Sequence, residues 1–133
     1  MKISKLEIRE IIDSRTNPTV EAEVNGETGK APSGASTGRH EVSCHVPEDL
    51  ESIEALLENL VGGEYSQQEF DEKLKQLDET DDFSRLGAAS IASSFAFKNA
   101  EGFDHSKKFP LPLSNVIGGG EHGGNTSIQE FLV

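Results

Sequence analysis

Three short stretches of this 133-residue chain carry side chains able to do chemistry. Residues 34–40 read GASTGRH, which places Gly34, Ser36, Thr37, Gly38 and His40 within seven positions. Hydroxyls ligate hard cations or hydrogen-bond phosphate, and glycine lets a backbone approach either closely. An idle polar loop has the same composition, and spacing alone leaves both readings open. The stretch is not a P-loop, since no Gly-Lys-Ser/Thr follows, nor is it the dinucleotide fingerprint. The second stretch is His122, set among Gly118, Gly119, Gly120, Gly123 and Gly124, five glycines in seven residues. Such a run turns tightly enough to bring an imidazole to a ligand, and equally well makes a flexible connector. The third is Gln129-Glu130. Neighbours in a regular strand point to opposite faces, so the two would do different work. A carboxylate at a strand end can transfer protons or orient water, or simply face solvent.

The elements that must position these groups are readable in outline. Residues 3–12 alternate, with Leu6 and Ile8 on one face and Glu7 and Arg9 on the other, and residues 19–24 repeat the pattern. Residues 13–18, DSRTNP, form a turn by composition, and Asn25-Gly26 signals a hairpin into a third strand through Lys30 and Ala31. The front third is therefore expected to be an antiparallel meander. Leu50, Ile53, Leu56, Leu57, Leu60 and Val61 then fall on one helical face, with Pro47, Glu48 and Asp49 in the first turn and Gly62-Gly63 as the stop. Ser66 and Glu69 have capping-box spacing and open a second helix on Phe70, Leu74 and Leu77. Its carboxylates read as a solvated face rather than a metal site. Residues 87–100 are small and apolar all round, which predicts a helix buried on more than one side and capped by Gly102. Strands first and helices after predict an α+β domain, a three-stranded meander followed by a helical layer. Residues 114–125, SNVIGGGEHGGN, read as a glycine-rich connection, and residues 127–133, SIQEFLV, as a buried strand with no partner evident.

Composition narrows the classes of function. The net charge is −12, and the few lysines form no stripe with interleaved aromatics, which argues against nucleic acid. Cys44 is the sole cysteine, so neither an internal disulfide nor a cysteine zinc cluster is expected, and no neighbour is of a kind to lower its pKa. His45 and His105 are expected at the surface without partners. The opening residues hold no apolar leader and no run spans a bilayer, so a cytoplasmic protein with no membrane association is expected. An apolar share of 34% implies a core of Leu, Ile, Val, Ala and the seven phenylalanines.

Read in order, DSRTNPTVEAEV, PSGASTGRHE, FSRLGAASIA, LPLSNVIGGGEHGGN and IQEFLV together resemble the enolase family, collinearly and over nearly the whole chain. The resemblance implies an amino-terminal domain over 1–110, then over 111–133 a connection and the first strand of a (β/α)8 barrel whose remainder is absent. It implies dehydration of 2-phosphoglycerate to phosphoenolpyruvate with Mg2+ in a homo-oligomeric enzyme. Gly34, Ala35, Ser36, Thr37 and Gly38 match a mobile lid, Ser36 a contributor to the second magnesium site, and His40 a lid position. His122 matches a residue at the substrate phosphate, Gln129 a substrate contact, and Glu130 the group serving the departing hydroxyl. Arg15 and Glu21 match positions near the dimer interface. The family's base lysine and its three acidic metal ligands come from later barrel strands, so the isolated chain is expected to be inactive. Thr16 stands where the family usually has glycine, Gly118 where it has asparagine, and the region between lid and helices is shortened. A stand-alone truncated paralogue that binds a protein partner, and a small phosphate-binding domain, are the alternative readings.

Overall fold

A computed structural model describes residues 1–32, 34, 38, 41–103 and 111–133. The chain divides into two compact units, Met1–Ser33 with His40–Phe103, and Gly34–Arg39 with Asp104–Val133. The first holds an antiparallel sheet in the order β1-β2-β3: β1 (Leu6–Ile12), β2 (Pro18–Val24) and β3 (Glu27–Lys30). Leu6 pairs with Val24, Ile8 with Ala22 and Glu10 with Val20, so the alternating apolar residues face one side together. Asp13 makes the first turn. Its Oδ1 accepts the N–H groups of Arg15 and Asn17, both at 2.8 Å. Asn25 (φ 52) and Gly26 (φ 94) make the second turn. The Asn25 side chain also takes the Ser4 N–H at 2.7 Å and donates to the Lys2 carbonyl at 2.8 Å, which fixes the start of the chain to the sheet.

Among the described residues three α-helices follow: α1 (Leu50–Glu58), α2 (Gln67–Asp78) and α3 (Ala88–Glu101). Helix α1 starts later than its sequence suggests. Asp49 is its cap rather than part of its first turn, because the Asp49 side chain accepts the Ser52 N–H. Val61 lies beyond the helix and is exposed. The capping box of α2 forms as expected, with Ser66 and Glu69 bonding reciprocally. Helix α3 is buried around much of its circumference by Ala88, Ala89, Ser90, Ala92, Ser93, Ala96 and Phe97. It packs against β2 and β3, while α1 covers β1 and α2 lies against α3.

Small side chains on α3 let a strand come very close. A Cβ placed on Gly29 of β3 would stand 2.2 Å from Ala96 N and 2.4 Å from Ala92 O, so backbone meets backbone there. The core also holds Phe70 stacked on Phe97, with centroids 4.4 Å apart. Among the described phenylalanines only these two are fully buried. Phe95, Phe103 and Phe131 are exposed, and Phe109 lies outside the described residues. Asp78 is buried at the end of α2, where Oδ2 accepts the Leu86 N–H at 2.6 Å and Oδ1 the Thr80 N–H at 3.1 Å. The loop joining α2 to α3 is thereby tied to the last residue of α2.

The second unit contains an antiparallel pair, β4 (Asn115–Gly118) and β5 (Glu130–Leu132). The start of the expected glycine-rich connection thus lies in a strand, and that strand supplies the partner which residues 127–133 lacked in sequence. The pairing extends beyond both strands, with Ser114 and Val133 exchanging backbone hydrogen bonds at 2.8 and 2.9 Å. The last strand is also shorter than expected and exposed rather than buried.

Candidate functional site

Glu130 opens β5 and faces Gly118 across the hairpin. Gln129 stands one residue before the strand, so the two are not alternating neighbours within it. The Gln129 carbonyl instead accepts the Gly119 N–H at 2.9 Å, and the Thr126 carbonyl accepts the Gly120 N–H at 3.0 Å. These bonds fold the glycine run back over the entry to β5, and its tip closes as a single helical turn, Gly120–His122. A side chain at position 124 would end this arrangement, since a Cβ there would lie 1.9 Å from the Gly118 carbonyl oxygen. The Gln129 side chain lies beside Gly120, whose notional Cβ is 3.6 Å from Gln129 Cβ and 3.8 Å from its Oε1.

The turn bearing His122 and the residues Gln129 and Glu130 are therefore one local construction, held by backbone hydrogen bonds. It presents an amide and a carboxylate from adjacent backbone, a suitable pairing for binding a polar ligand and moving a proton. Gln129 and Glu130 are exposed, and the imidazole of His122 lies outside the described side chains. Of the residues expected to form a lid, Gly34 and Gly38 are exposed, whereas Ala35, Ser36, Thr37 and His40 lie outside the described residues.

In the first unit, Arg15 lies exposed in the turn that Asp13 organises. Glu21 is nearly buried in β2, where its carboxylate receives Arg9 from β1 and Lys30 from β3, the latter at 3.2 Å. Burial pushes this carboxyl up, but hydrogen bonds from Lys30 and Arg9 and their charges outweigh that, so its pKa is lowered. Cys44 is exposed. Partial desolvation and the Glu41 charge push its thiol up, which makes it a poorer nucleophile. His45 does have a partner, because Ser43 Oγ lies 2.7 Å from its Nδ1. A two-residue spacing that returns one side chain to another in a loop leaves no periodic signal in sequence. Among the described residues, no three His, Cys, Asp or Glu side chains are grouped to hold a metal ion.

A family model described as the enolase N-terminal domain matches residues 3–112. The chain belongs to the enolase amino-terminal domain family. Among curated enolases, that of Archaeoglobus fulgidus is 42% identical over 153 aligned positions, covering 100% of this chain and 38% of that protein. The enolase of Natronomonas pharaonis is 41% identical over 154 positions, covering 98% and 39%. That of Methanosphaera stadtmanae is 36% identical, covering 98% and 38%. The chain thus spans about two fifths of the length of the enolases it matches. Alignments longer than the 133 residues present also mean that these enolases carry residues which this chain lacks. The α+β meander and helices are those of the family domain.

The hairpin partner β4 was missed in sequence. The adjacent β-branched pair Val116-Ile117 between Asn115 and Gly118 is the signal that could have found it. The Arg9–Glu21–Lys30 group was missed because it exists only once the register of three strands is set.

Proposed function

We propose that this chain is the lid-bearing amino-terminal part of an enolase, which dehydrates 2-phospho-D-glycerate to phosphoenolpyruvate in glycolysis and gluconeogenesis. The family match over residues 3–112 carries the reading. The gathering of the His122 turn, Gln129 and Glu130 in one hairpin supports it. On this reading residues 1–110 form the amino-terminal domain and 111–133 open the barrel.

The reaction removes a proton from the carbon beside the carboxylate and a hydroxyl from the next carbon. Glu130 delivers a proton to the departing hydroxyl, which leaves as water. Gln129 and His122 hold the substrate, His122 at its phosphate. Residues 34–38, with Ser36 and His40, close over it. The proton-abstracting base lies outside this chain. Mg2+ belongs to the complete enzyme, and since the described residues here form no cluster fit to hold it, no step is assigned to it within this chain. The complete enzyme is read as a cytoplasmic homo-oligomer with Arg15 and Glu21 near the interface. No described helix is long and apolar enough to cross a membrane.

Two measurements test this. The purified chain, free of host enolase, is given 2-phosphoglycerate and Mg2+ while phosphoenolpyruvate is followed by ultraviolet absorbance, and no turnover is expected. Grafted in place of the corresponding residues of the Archaeoglobus fulgidus enolase, the chain should support dehydration, and Glu130→Gln should lower kcat of that graft about 10²- to 10⁴-fold. Turnover by the chain alone overturns the assignment of the base elsewhere. A folded but inactive graft overturns the whole reading.

A further inference from the structure

Asn25-Gly26 is the only Asn-Gly pair in the sequence, and it stands exposed at the tip of the hairpin joining β2 to β3. Asparagine before glycine is the dipeptide most prone to lose ammonia, because no side chain shields the glycine nitrogen from the carboxamide carbon. The shielding is absent in space as well, since a Cβ placed on Gly26 would meet nothing within 4 Å. Of the other asparagines, Asn17 precedes a proline, which has no N–H to give up, and the rest precede residues that carry a Cβ.

The Asn25 carboxamide is not free to swing. Its Oδ1 accepts from the Ser4 N–H at 2.7 Å, the Ser4 Oγ at 2.8 Å and the Lys5 N–H at 3.2 Å. Its Nδ2 donates to the Lys2 carbonyl at 2.8 Å. The segment it grips is itself fixed, because Ile3 is fully buried in the core and its N–H donates to the Gly63 carbonyl at 3.0 Å. Cyclisation must turn Cγ onto the Gly26 nitrogen and expel Nδ2, so it breaks this hold. The same bonds polarise the carboxamide, but that helps only once the nitrogen can reach Cγ.

We propose that Asn25 is a site of spontaneous deamidation whose rate the folded clamp on Ser4 and Lys5 restrains. The Gly26 nitrogen bonds to Asn25 Cγ, the Cγ–Nδ2 bond breaks, and ammonia leaves carrying the Gly26 amide proton. Water then opens the cyclic imide. Attack at Cγ returns a normal peptide bond and an aspartate, whereas attack at the Asn25 backbone carbonyl leaves an isoaspartate joined to Gly26 through Cγ. No oxidant or reductant is involved, and either product adds one negative charge. The isoaspartate places an extra carbon in a turn that now sets Val24 opposite Glu27, so pairing and clamp do not both survive it. The site does not depend on the enolase reading.

The test ages the 133-residue chain in one mildly alkaline buffer, native and in urea, and follows Asp and isoAsp at each asparagine by peptide mass spectrometry. In urea Asn25 should convert before any other asparagine. In the native chain it should convert at least about tenfold more slowly, since reaction waits on local opening of the turn. Ser4→Ala removes one donor at an exposed position and should speed native conversion about two- to tenfold while leaving the rate in urea unchanged. Native chain enriched in isoaspartate should melt at a lower Tm. Another asparagine converting first in urea, equal rates in the two states, or a slower native rate in Ser4→Ala each overturns the proposal. If Ser4→Ala does not fold, the native and urea rates of the unsubstituted chain decide.

Discussion

Thr16 sits at φ 66 in the turn between β1 and β2. For a residue with a Cβ, the left-handed region costs about 1–2 kcal/mol. Glycine enters it freely but brings about 0.5–1 kcal/mol of extra chain freedom to lose on folding. The balance favours glycine, the residue that the enolase resemblance places at this position. Thr16→Gly is therefore expected to stabilise the chain by about 0.5–1 kcal/mol, seen as a rise of a few degrees in Tm. An unchanged or lower Tm would mean that the Asp13 hydrogen bonds, which fix Arg15 and Asn17, leave no strain to relieve. Asp13 was legible only as part of a polar turn. Its role as the acceptor that shapes the turn requires the folded geometry.

At the scale of elements, β3 meets α3 backbone to backbone. Gly29 lies against backbone atoms of Ala92, Phe95 and Ala96, none of which can swing aside as a long side chain would. Gly29→Ala is expected to destabilise by about 3 kcal/mol or more, since overpacking on a rigid wall forces strand and helix apart. Urea denaturation would measure it, and a loss below about 1 kcal/mol would show that the two elements can separate cheaply. The alanine-rich face of α3 announced two-sided burial in sequence, yet nothing there named β3 as the partner. Local signals were the legible ones. The Ser66–Glu69 box, the Asn25-Gly26 turn and the Gly102 cap each act over a few residues and need no tertiary context. Pairings across long separations were not. The strand Asn115–Gly118 hid at the head of a segment read as a glycine-rich connection, and phenylalanine content alone could not tell the buried Phe70 and Phe97 from the exposed Phe95 and Phe131. For the candidate site, the residue types could be read, but not the folding of the His122 turn onto Gln129.

The two units differ in how much apolar surface they hide. The first has a continuous core running from Ile3 through Val20, Val24 and Leu57 to Phe70 and Phe97. In the second, Val116, Ile117, Ile128, Phe131, Leu132 and Val133 are all exposed. Hydrogen bonds shielded by a core open only with global unfolding, whereas those in an uncovered hairpin open locally. Native-state hydrogen exchange of this chain should therefore find β2 and α3 protected to nearly the global limit, and β4 and β5 exchanging orders of magnitude faster. Equal protection would mean that the hairpin is covered in solution.

Asp78 adds a mechanical consequence. Because this carboxylate closes α2 and also receives the Leu86 N–H just ahead of α3, neither helix can fray toward the other without stranding a buried acid. Stretching the chain between the two helices should release them in a single step, with the connecting loop acting as a rivet rather than a tether.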